Sequence, residues 1–73
     1  MLLIMVNINK ALGNNIRALR KKKELTQEEL AYKAELDYSY INQIENGKRN
    51  PSMEAVERIA KALGTKVQNL LNF

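Results

Sequence analysis

Apolar residues in this chain recur at intervals of three and four positions, and helix-capping residues separate one such stretch from the next. In the first stretch, four of them share one face of a helix: Ile8, Leu12, Ile16 and Leu19. The chain has 73 residues, which is enough for one small domain and no more. The spacing therefore predicts a single all-α domain built from short amphipathic helices.

Residues with short polar side chains predict where the first two helices begin. Asn7 or Asn9 is placed to cap the first helix. Thr26 and Glu29 match a capping box, in which each side chain hydrogen-bonds the backbone N–H of the other residue. The helix that this box opens is expected to end near Ala34, before the turn to the next helix.

The same signals predict two further helices. Asp37 is placed to cap a third helix over residues 38–45, and Gly47 follows it as the glycine that favours a left-handed backbone after a helix. Ser52 is placed to cap a fourth helix, which Gly64 closes. The buried face of that helix is predicted to be Met53, Val56, Ile59, Ala60 and Leu63.

The end of the chain carries a second candidate capping box. Residues 65–68 have the sequence Thr-Lys-Val-Gln, and they predict a short fifth helix that occupies residues 66–73. The class predicted for the whole chain, residues 1–73, is therefore all-α, with five short helices and no strand.

The chain contains neither cysteine nor histidine. Disulfides are therefore impossible, and the common zinc sites lack their ligands. Glu28 and Glu29 lie in the first turn of a predicted helix, where carboxylates favour the helix dipole, so capping explains them better than catalysis. We therefore expect no enzyme activity, no metal and no cofactor. A small domain without such staples is expected to gain stability by forming a homodimer.

Positive charge is unevenly distributed along the chain. The formal net charge is +4 and the sequence pI is about 9.6, which suits an acidic partner such as nucleic acid. Residues 1–23 carry six positive charges and no negative ones, whereas residues 24–47 carry one positive and six negative charges. The basic run over residues 17–23 is expected either to contact phosphate or to solvate the end of a helix.

Residues 1–7 begin with a short apolar segment, Met-Leu-Leu-Ile-Met-Val. The segment is shorter than a membrane span and lacks the basic start and cleavage site of a signal peptide. Two interpretations remain open, a disordered tail and an arm that docks on a partner subunit. The absence of cysteine fits a reducing compartment, so a cytoplasmic location without membrane contact is expected.

Residues 26–45 combine two capped helices joined by a turn of three residues, which is the pattern of a helix-turn-helix. The second helix has Ile41 and Ile44 on its inner face and polar residues outside. A major groove about 12 Å wide admits one helix, and Ser, Asn and Gln side chains on that helix hydrogen-bond base edges. The pattern predicts binding to double-stranded DNA.

Three motifs occur in the order and spacing of one known family. They are Leu-Thr-Gln-Glu-Glu-Leu-Ala at residues 25–31, Tyr-Ile-Asn-Gln-Ile-Glu-Asn-Gly-Lys-Arg-Asn-Pro-Ser at 40–52, and Ile-Ala-Lys-Ala-Leu-Gly at 59–64. Together they resemble the phage repressor and Cro (XRE-type) helix-turn-helix family, over about residues 8–71. The resemblance implies a lambda-repressor-like domain. Its size is most similar to stand-alone regulators, such as restriction–modification controller proteins and small prophage repressors.

The resemblance implies DNA-contacting roles around the third helix. Base contacts are expected from its outer face: Tyr38, Ser39, Asn42 and Gln43. Phosphate contacts are expected from residues that flank this face and from one arginine of the basic run: Gln27, Tyr40, Lys48, Arg49, Asn50 and Arg17. Gln27 is also expected to brace the third helix.

The resemblance also implies a structural pair and a dimer surface. Arg20 on the first helix is expected to meet Glu45 at the end of the third, either as a buried pair or as surface charges. The dimer surface is expected from the fifth helix: Val67, Leu70, Leu71 and Phe73. The chain departs from the family at Glu24 and Glu35, where glycine is common, and a positive φ at Glu35 would store strain of roughly 1 kcal/mol.

The expected function is that of a sequence-specific transcriptional regulator, which binds an inverted-repeat operator as a homodimer and has its own promoter as a candidate target. RNA polymerase is a further candidate partner, and no small-molecule ligand is expected. The alternative is an antitoxin-like protein-interaction module whose DNA binding is secondary.

Overall fold

Residues 7–73 are described by a computed structural model, in which they form five α-helices and no β-strand. The helices are α1 (Ile8–Lys22), α2 (Gln27–Ala34), α3 (Tyr38–Glu45), α4 (Met53–Ala62) and α5 (Val67–Leu70). The predicted all-α class, with α2 and α3 as a helix-turn-helix, is confirmed. Residues 1–6, predicted to form a tail or a docking arm, lie outside the described residues. None of the described helices is long and apolar enough to cross a membrane.

Side-chain caps begin three of these helices where the sequence predicts them. Asn7, not Asn9, caps α1, and its Oδ1 accepts a hydrogen bond from a backbone N–H of the first turn at 3.1 Å. The capping box of Thr26 and Glu29 is present in full, with hydrogen bonds of 2.8 and 3.0 Å. Ser52 caps α4 in the same way at 3.1 Å. These bonds satisfy N–H groups that the start of a helix leaves without partners.

The start of α5 differs from the prediction. Lys66 occupies its N-cap position without a side-chain bond, and Thr65 Oγ1 instead accepts a hydrogen bond from an asparagine side chain at 2.9 Å. The backbone N–H of Thr65 donates to Ala60 O at 2.9 Å and closes the end of α4, so Thr65 does not begin the next helix. The predicted second capping box is therefore wrong, and α5 spans four residues rather than residues 66–73.

Every helix contributes to one buried cluster: Leu12, Ile16, Leu30, Ala31, Ala34, Ile41, Ile44, Val56, Ile59, Ala60, Leu63 and Leu70. Ile8 and Met53, predicted on buried faces, are each 59% exposed. Each is the first residue of its helix, where the packed helices do not cover it. The remaining apolar faces pack α3 against both α1 and α2, and α2 against α4. Burial of apolar surface is the dominant favourable contribution to folding.

Gly13 allows the backbones of α1 and α3 to approach closely. A Cβ atom at this position would lie 2.8 Å from the carbonyl oxygen of Glu45 and closer still to that of Ile44. Glycine inside a helix lowers helix stability by about 1 kcal/mol relative to alanine, so a packing requirement explains its presence here. The C-terminal end of α3 therefore rests directly on the α1 backbone.

Two glutamates hold the left-handed backbone that favours glycine. Glu24 has a φ of 58° and Glu35 has a φ of 57°. Glu35 is the C-cap of α2, and its conformation turns the chain into the three-residue connection before α3. Each of these residues therefore carries a backbone strain of roughly 1 kcal/mol, the cost that the sequence predicts for Glu35. Gly47 has the predicted left-handed backbone after α3, with a φ of 72°.

Candidate nucleic-acid interface

α3 presents a polar face to solvent. Ile41 and Ile44 are fully buried on its inner side, whereas Tyr38 at its start is 48% exposed. The four side chains predicted to contact bases all retain access to solvent, with the second pair half-buried: Tyr38, Ser39, Asn42 and Gln43. Because residues three and four apart are neighbours on a helix, these side chains form one continuous surface over its two turns.

Glu45, the last residue of α3, is a buried carboxylate that joins three helices. Its Oε2 accepts a hydrogen bond from Arg20 Nε at 2.6 Å, and its Oε1 accepts one from Arg20 Nη2 at 2.9 Å. Gln27 Nε2 donates to the same Oε1 at 3.0 Å. Arg20 is 8% exposed and Glu45 is 1% exposed, so the pair has the buried one of its two expected arrangements.

Burial decides what this pair contributes to stability. Removing one partner of a buried ion pair leaves an uncompensated charge and costs about 3–5 kcal/mol. Burial by itself raises the pKa of Glu45, but the hydrogen bonds from Arg20 and Gln27 and the charge of Arg20 outweigh it, so this pKa lies below its usual value. The hydrogen bond from Glu45 raises the pKa of Arg20. Both groups are therefore charged at neutral pH, and they fix the end of α3 to α1.

Arg17 binds the end of α3 from the same side of α1. Its Nη2 donates to the Glu45 carbonyl oxygen at 3.2 Å and to Asn46 Oδ1 at 2.8 Å, and its Nε donates to Glu45 Oε1 at 3.4 Å. The last carbonyl groups of a helix lack partners within it and carry partial negative charge, so a cation is favoured there. Arg17, predicted to contact phosphate, is engaged in holding α3.

Gln27 connects the buried pair to the outer face of α3. While its Nε2 donates to Glu45, its Oε1 accepts a hydrogen bond from Asn42 Nδ2 at 3.0 Å. Asn42 Oδ1 in turn accepts one from Asn46 Nδ2 at 3.2 Å. Gln27 thus has the geometry of the bracing residue that the sequence predicts, and Asn42 belongs to the network as well as to the outer face.

The loop after α3 carries three exposed residues that the sequence assigns to phosphate: Lys48, Arg49 and Asn50. Arg49 folds back over α3. Its guanidinium carbon lies 5.0 Å from the centre of the Tyr40 ring, and its Nη1 donates to Gln43 Oε1 at 3.1 Å. The Tyr40 hydroxyl accepts a hydrogen bond from the backbone N–H of the α4 N-cap residue at 3.4 Å. Arg49 is therefore connected to the centre of the outer face.

An open groove of about 410 Å³ lies beside these residues. Its lining includes Gln43, Arg49 and Tyr40 together with the acidic residues Glu35 and Asp37. Neutral donors, a cation and two carboxylates thus share one concave surface next to α3. Across residues 7–73, no three acidic side chains are placed to hold a metal ion.

The predicted dimer surface divides between the core and the exterior. Leu70 is fully buried in the core and Val67 is half-buried against it, so Leu70 offers nothing to a partner. Leu71 is 38% exposed and Phe73 is 56% exposed. Asn15 Nδ2 holds this end of the chain on α1, donating to Leu70 O at 2.9 Å and to a second carbonyl two residues later at 3.2 Å.

Three residues that position α3 or the end of the chain were missed by sequence reasoning: Gly13, Asn15 and Asn46. Gly13 carries a usable signal, because a glycine inside a helical pattern indicates close packing or a functional requirement. Asn15 and Asn46 carry none, since each bonds residues far away in the sequence or across a helix end.

Comparison with known proteins gives matches over most of the chain. The sequence pattern of a family described as Helix-turn-helix matches residues 16–70. The control protein C.BamHI of Bacillus amyloliquefaciens is 41% identical over 68 residues, which cover 92% of this chain and 84% of that protein. The immunity repressor protein of Bacillus phage phi105 is 44% identical over 59 residues, which cover 81% of this chain and 41% of the repressor.

A solved structure gives the same result for the fold. The restriction-modification controller protein C.AhdI from Aeromonas hydrophila superimposes with a TM-score of 0.84 at 37% sequence identity. The superposition covers 85% of this chain and 94% of that protein. The likeness therefore extends over a whole small protein and is not confined to a two-helix motif.

Proposed function

This chain belongs to the helix-turn-helix family and is a DNA-binding transcriptional regulator, and on that premise we propose that it binds an inverted-repeat operator as a homodimer. The observation that carries the proposal is the attachment of α3. Its inner face is buried, its C-terminal end is fixed by Glu45, and its outer face is polar and open. A rigidly held helix with such a face suits insertion into a major groove about 12 Å wide.

Base contacts in this proposal come from the outer face of α3. Tyr38 and Ser39 lie in its first turn, and the first turn of a recognition helix is the part that approaches base edges. Gln43 lies one turn later on the side of Ser39. Asn42 contributes from the edge of this face, where its amide nitrogen donates a hydrogen bond to Gln27.

Phosphate contacts come from groups that flank α3. Lys48 and Asn50 are exposed in the loop that follows it, and Tyr40 is a half-buried residue of α3 whose ring lies against Arg49 of that loop. Gln27 is the first residue of α2, where backbone N–H groups and the helix dipole favour an anion. We assign Arg17 to the positioning of α3 rather than to phosphate, because its guanidinium bonds the helix end.

The homodimer would form through the exposed end of the chain. Leu71 and Phe73 are apolar and exposed there, and Asn15 holds the adjoining backbone in place. Two copies of α3 about 34 Å apart would contact half-sites separated by one turn of DNA. Because the dimer doubles the contacts, the occupancy of the operator would depend steeply on protein concentration.

Regulation would follow from the position of the operator. A dimer that covers a promoter blocks transcription, whereas a dimer beside it is placed to touch RNA polymerase. The promoter of the protein's own gene is the first candidate, in a bacterial or phage system of the controller or repressor type. We propose that the protein acts in the cytoplasm and needs no small-molecule ligand, so that its concentration and dimerisation set the response.

The test is a titration followed by fluorescence anisotropy. The protein is added to a duplex taken from immediately upstream of its own gene and to a scrambled duplex of equal composition, at two salt concentrations. We expect a preference of about 10³ or more for the native duplex, retained at the higher salt. Analytical ultracentrifugation of the bound species is expected to give two protein chains per duplex.

Equal and salt-sensitive binding to both duplexes would count against an operator in that region. The selection of duplexes from a random pool then decides the question, since a specific regulator enriches an inverted repeat wherever its operator lies. If no motif is enriched, and a protein encoded next to the gene binds stoichiometrically, the protein-interaction alternative replaces this proposal.

A further inference from the structure

Arg49 and Gln43 form a connected pair on the outer side of α3. Arg49 lies six residues after Gln43, yet its Nη1 donates to Gln43 Oε1 at 3.1 Å. Its guanidinium carbon lies 5.0 Å from the centre of the Tyr40 ring, within the range of a cation–π interaction. The hydroxyl of Tyr40 is bonded to the start of α4, so the ring that supports Arg49 is itself fixed.

We propose that Arg49 and Gln43 act as one specificity-determining unit that selects guanine over adenine in the major groove. The inference rests on the proposed function, since it requires α3 to enter that groove. It assigns Arg49 to base selection, whereas the sequence alone assigns this residue to phosphate.

The chemistry of the two side chains sets the preference. A guanidinium group has five N–H donors and no acceptor, so the Gln43 atom that faces it must be the amide oxygen. A glutamine pairs bidentately with adenine by using both its oxygen and its nitrogen. Here the oxygen is bonded to Arg49, which leaves the pair with an excess of donors.

Guanine is the base that matches an array of donors. Its major-groove edge offers two acceptors, N7 and O6, whereas adenine offers one acceptor and one donor. The free N–H groups of Arg49 and the Nε2 group of Gln43 would satisfy the two guanine acceptors. Adenine would instead bring its amino group towards side chains that are already rich in donors.

The surroundings of Arg49 favour a base over a phosphate. The groove that Arg49 and Gln43 line also contains Glu35 and Asp37, and like charges disfavour a phosphate among these carboxylates. A base edge is neutral and is not repelled in this way. Lys48, which the lining of this groove does not include, is the better phosphate ligand and serves as the matched control.

The experiment is a selection from random duplexes with the full chain and three variants: Arg49→Ala, Gln43→Ala and Lys48→Ala. The wild type is expected to enrich an inverted repeat with guanine at one position of each half-site. Arg49→Ala frees the Gln43 oxygen, so that position is expected to change to adenine, with about a tenfold loss of affinity for the guanine duplex. Lys48→Ala is expected to weaken all sequences alike and keep the guanine.

The outcomes distinguish a failure of this inference from a failure of the proposed function. If no inverted repeat is enriched by the wild type, the proposed function itself fails. If a repeat is enriched but Arg49→Ala leaves every base preference unchanged, the function stands and the Arg49–Gln43 unit is overturned. Because Arg49 is exposed, equal urea midpoints for Arg49→Ala and the wild type are expected and exclude an effect of unfolding.

Discussion

The inner and outer sides of α3 use polar groups in opposite ways. On the inner side, Glu45 is 1% exposed and accepts hydrogen bonds from Arg20 and Gln27, so its charge is fully engaged within the protein. On the outer side, Tyr38 is 48% exposed, and Ser39 lies in solvent without a role in the network. The buried charges decide where the helix lies, and the exposed neutral groups are left for a partner.

Two ion pairs of the protein differ in the same way. Arg20 and Glu45 are buried and hydrogen-bonded on several atoms, whereas Glu54 and Arg58 form an exposed pair at 3.3 Å within α4. An exposed pair of this kind contributes only about 0.2–1 kcal/mol, because water and side-chain entropy offset the attraction. Changes on the two sides of α3, and in the two pairs, should therefore have very different consequences.

The largest effect is expected from Glu45→Ala. The substitution leaves Arg20 buried without its partner, so the free energy of unfolding in urea is expected to fall by about 3–5 kcal/mol. Glu54→Ala is the matched control and should cost less than about 1 kcal/mol. If Glu45→Ala does not fold, Arg17→Ala provides the second variant, with an expected loss of about 1–3 kcal/mol. Losses equal to that of Glu54→Ala would show that the contacts of Glu45 and Arg17 do not hold α3.

Gly13→Ala is expected to have a smaller effect on stability, and the sign of that effect distinguishes helix propensity from close packing. Helix propensity alone would make alanine stabilising by about 1 kcal/mol. The added Cβ meets the backbone carbonyl groups of Ile44 and Glu45, so we expect a net loss of about 1–3 kcal/mol and weaker binding to operator DNA. Asn14→Ala, at the exposed neighbouring position, is the control. A stabilising Gly13→Ala would contradict the close approach of α1 and α3.

A fall in pH is expected to weaken the contacts of Glu45 on the inner side of α3. The pKa of Glu45 is lowered in the folded state, so its charge stabilises the fold above the unfolded glutamate pKa of about 4.3. That contribution is lost as the pH falls from there through the lowered folded pKa. Urea unfolding between pH 7 and pH 2 should therefore show a steeper loss for the wild type than for Glu45→Gln. Glu29, whose pKa is lowered by its hydrogen bonds with Thr26, contributes equally to both proteins. Parallel profiles would contradict this role of Glu45.

The smallest effect is expected at the turn between α2 and α3. Glu35 has a φ of 57°, and Glu35→Gly removes a strain of roughly 1 kcal/mol while adding flexibility to the unfolded chain. We expect a gain of a few tenths of a kcal/mol in thermal unfolding, following the glycine preference at such positions. Lys33→Gly, inside α2, should instead cost about 1 kcal/mol. A destabilising Glu35→Gly would mean that the glutamate side chain itself supports the turn.

Local signals predict most of the fold of this chain. Thr26, Glu29 and Ser52 cap helices where the sequence places them, because a cap depends only on residues within one turn. The prediction is only partly right at Asp37, which occupies the N-cap position of α3 but makes no side-chain capping bond. It fails at Thr65, whose backbone N–H is bonded to the end of the preceding helix, so that α5 begins one residue later than the box requires. Similarly, the sequence does not distinguish Leu70, which is buried, from its neighbour Leu71, which is exposed.

The candidate site is predictable only in part, because its contacts are long-range. The resemblance to a known family suggests the pairing of Arg20 with Glu45. The resemblance does not indicate that Arg17 bonds Asn46, 29 positions away, or that Arg49 bends back to Gln43. Arginines in a basic run look alike in a sequence, and only the folded chain shows which of them are engaged.

The binding of Gln43→Ala to operator and scrambled duplexes tests most directly whether the outer side of α3 contacts bases. The variant should first be shown to have the urea midpoint of the wild type. Binding to the operator is expected to weaken by about 1–3 kcal/mol, and the base preference is expected to relax at one position, while affinity for the scrambled duplex is unchanged. An equal loss on both duplexes would contradict base recognition by the outer side of α3.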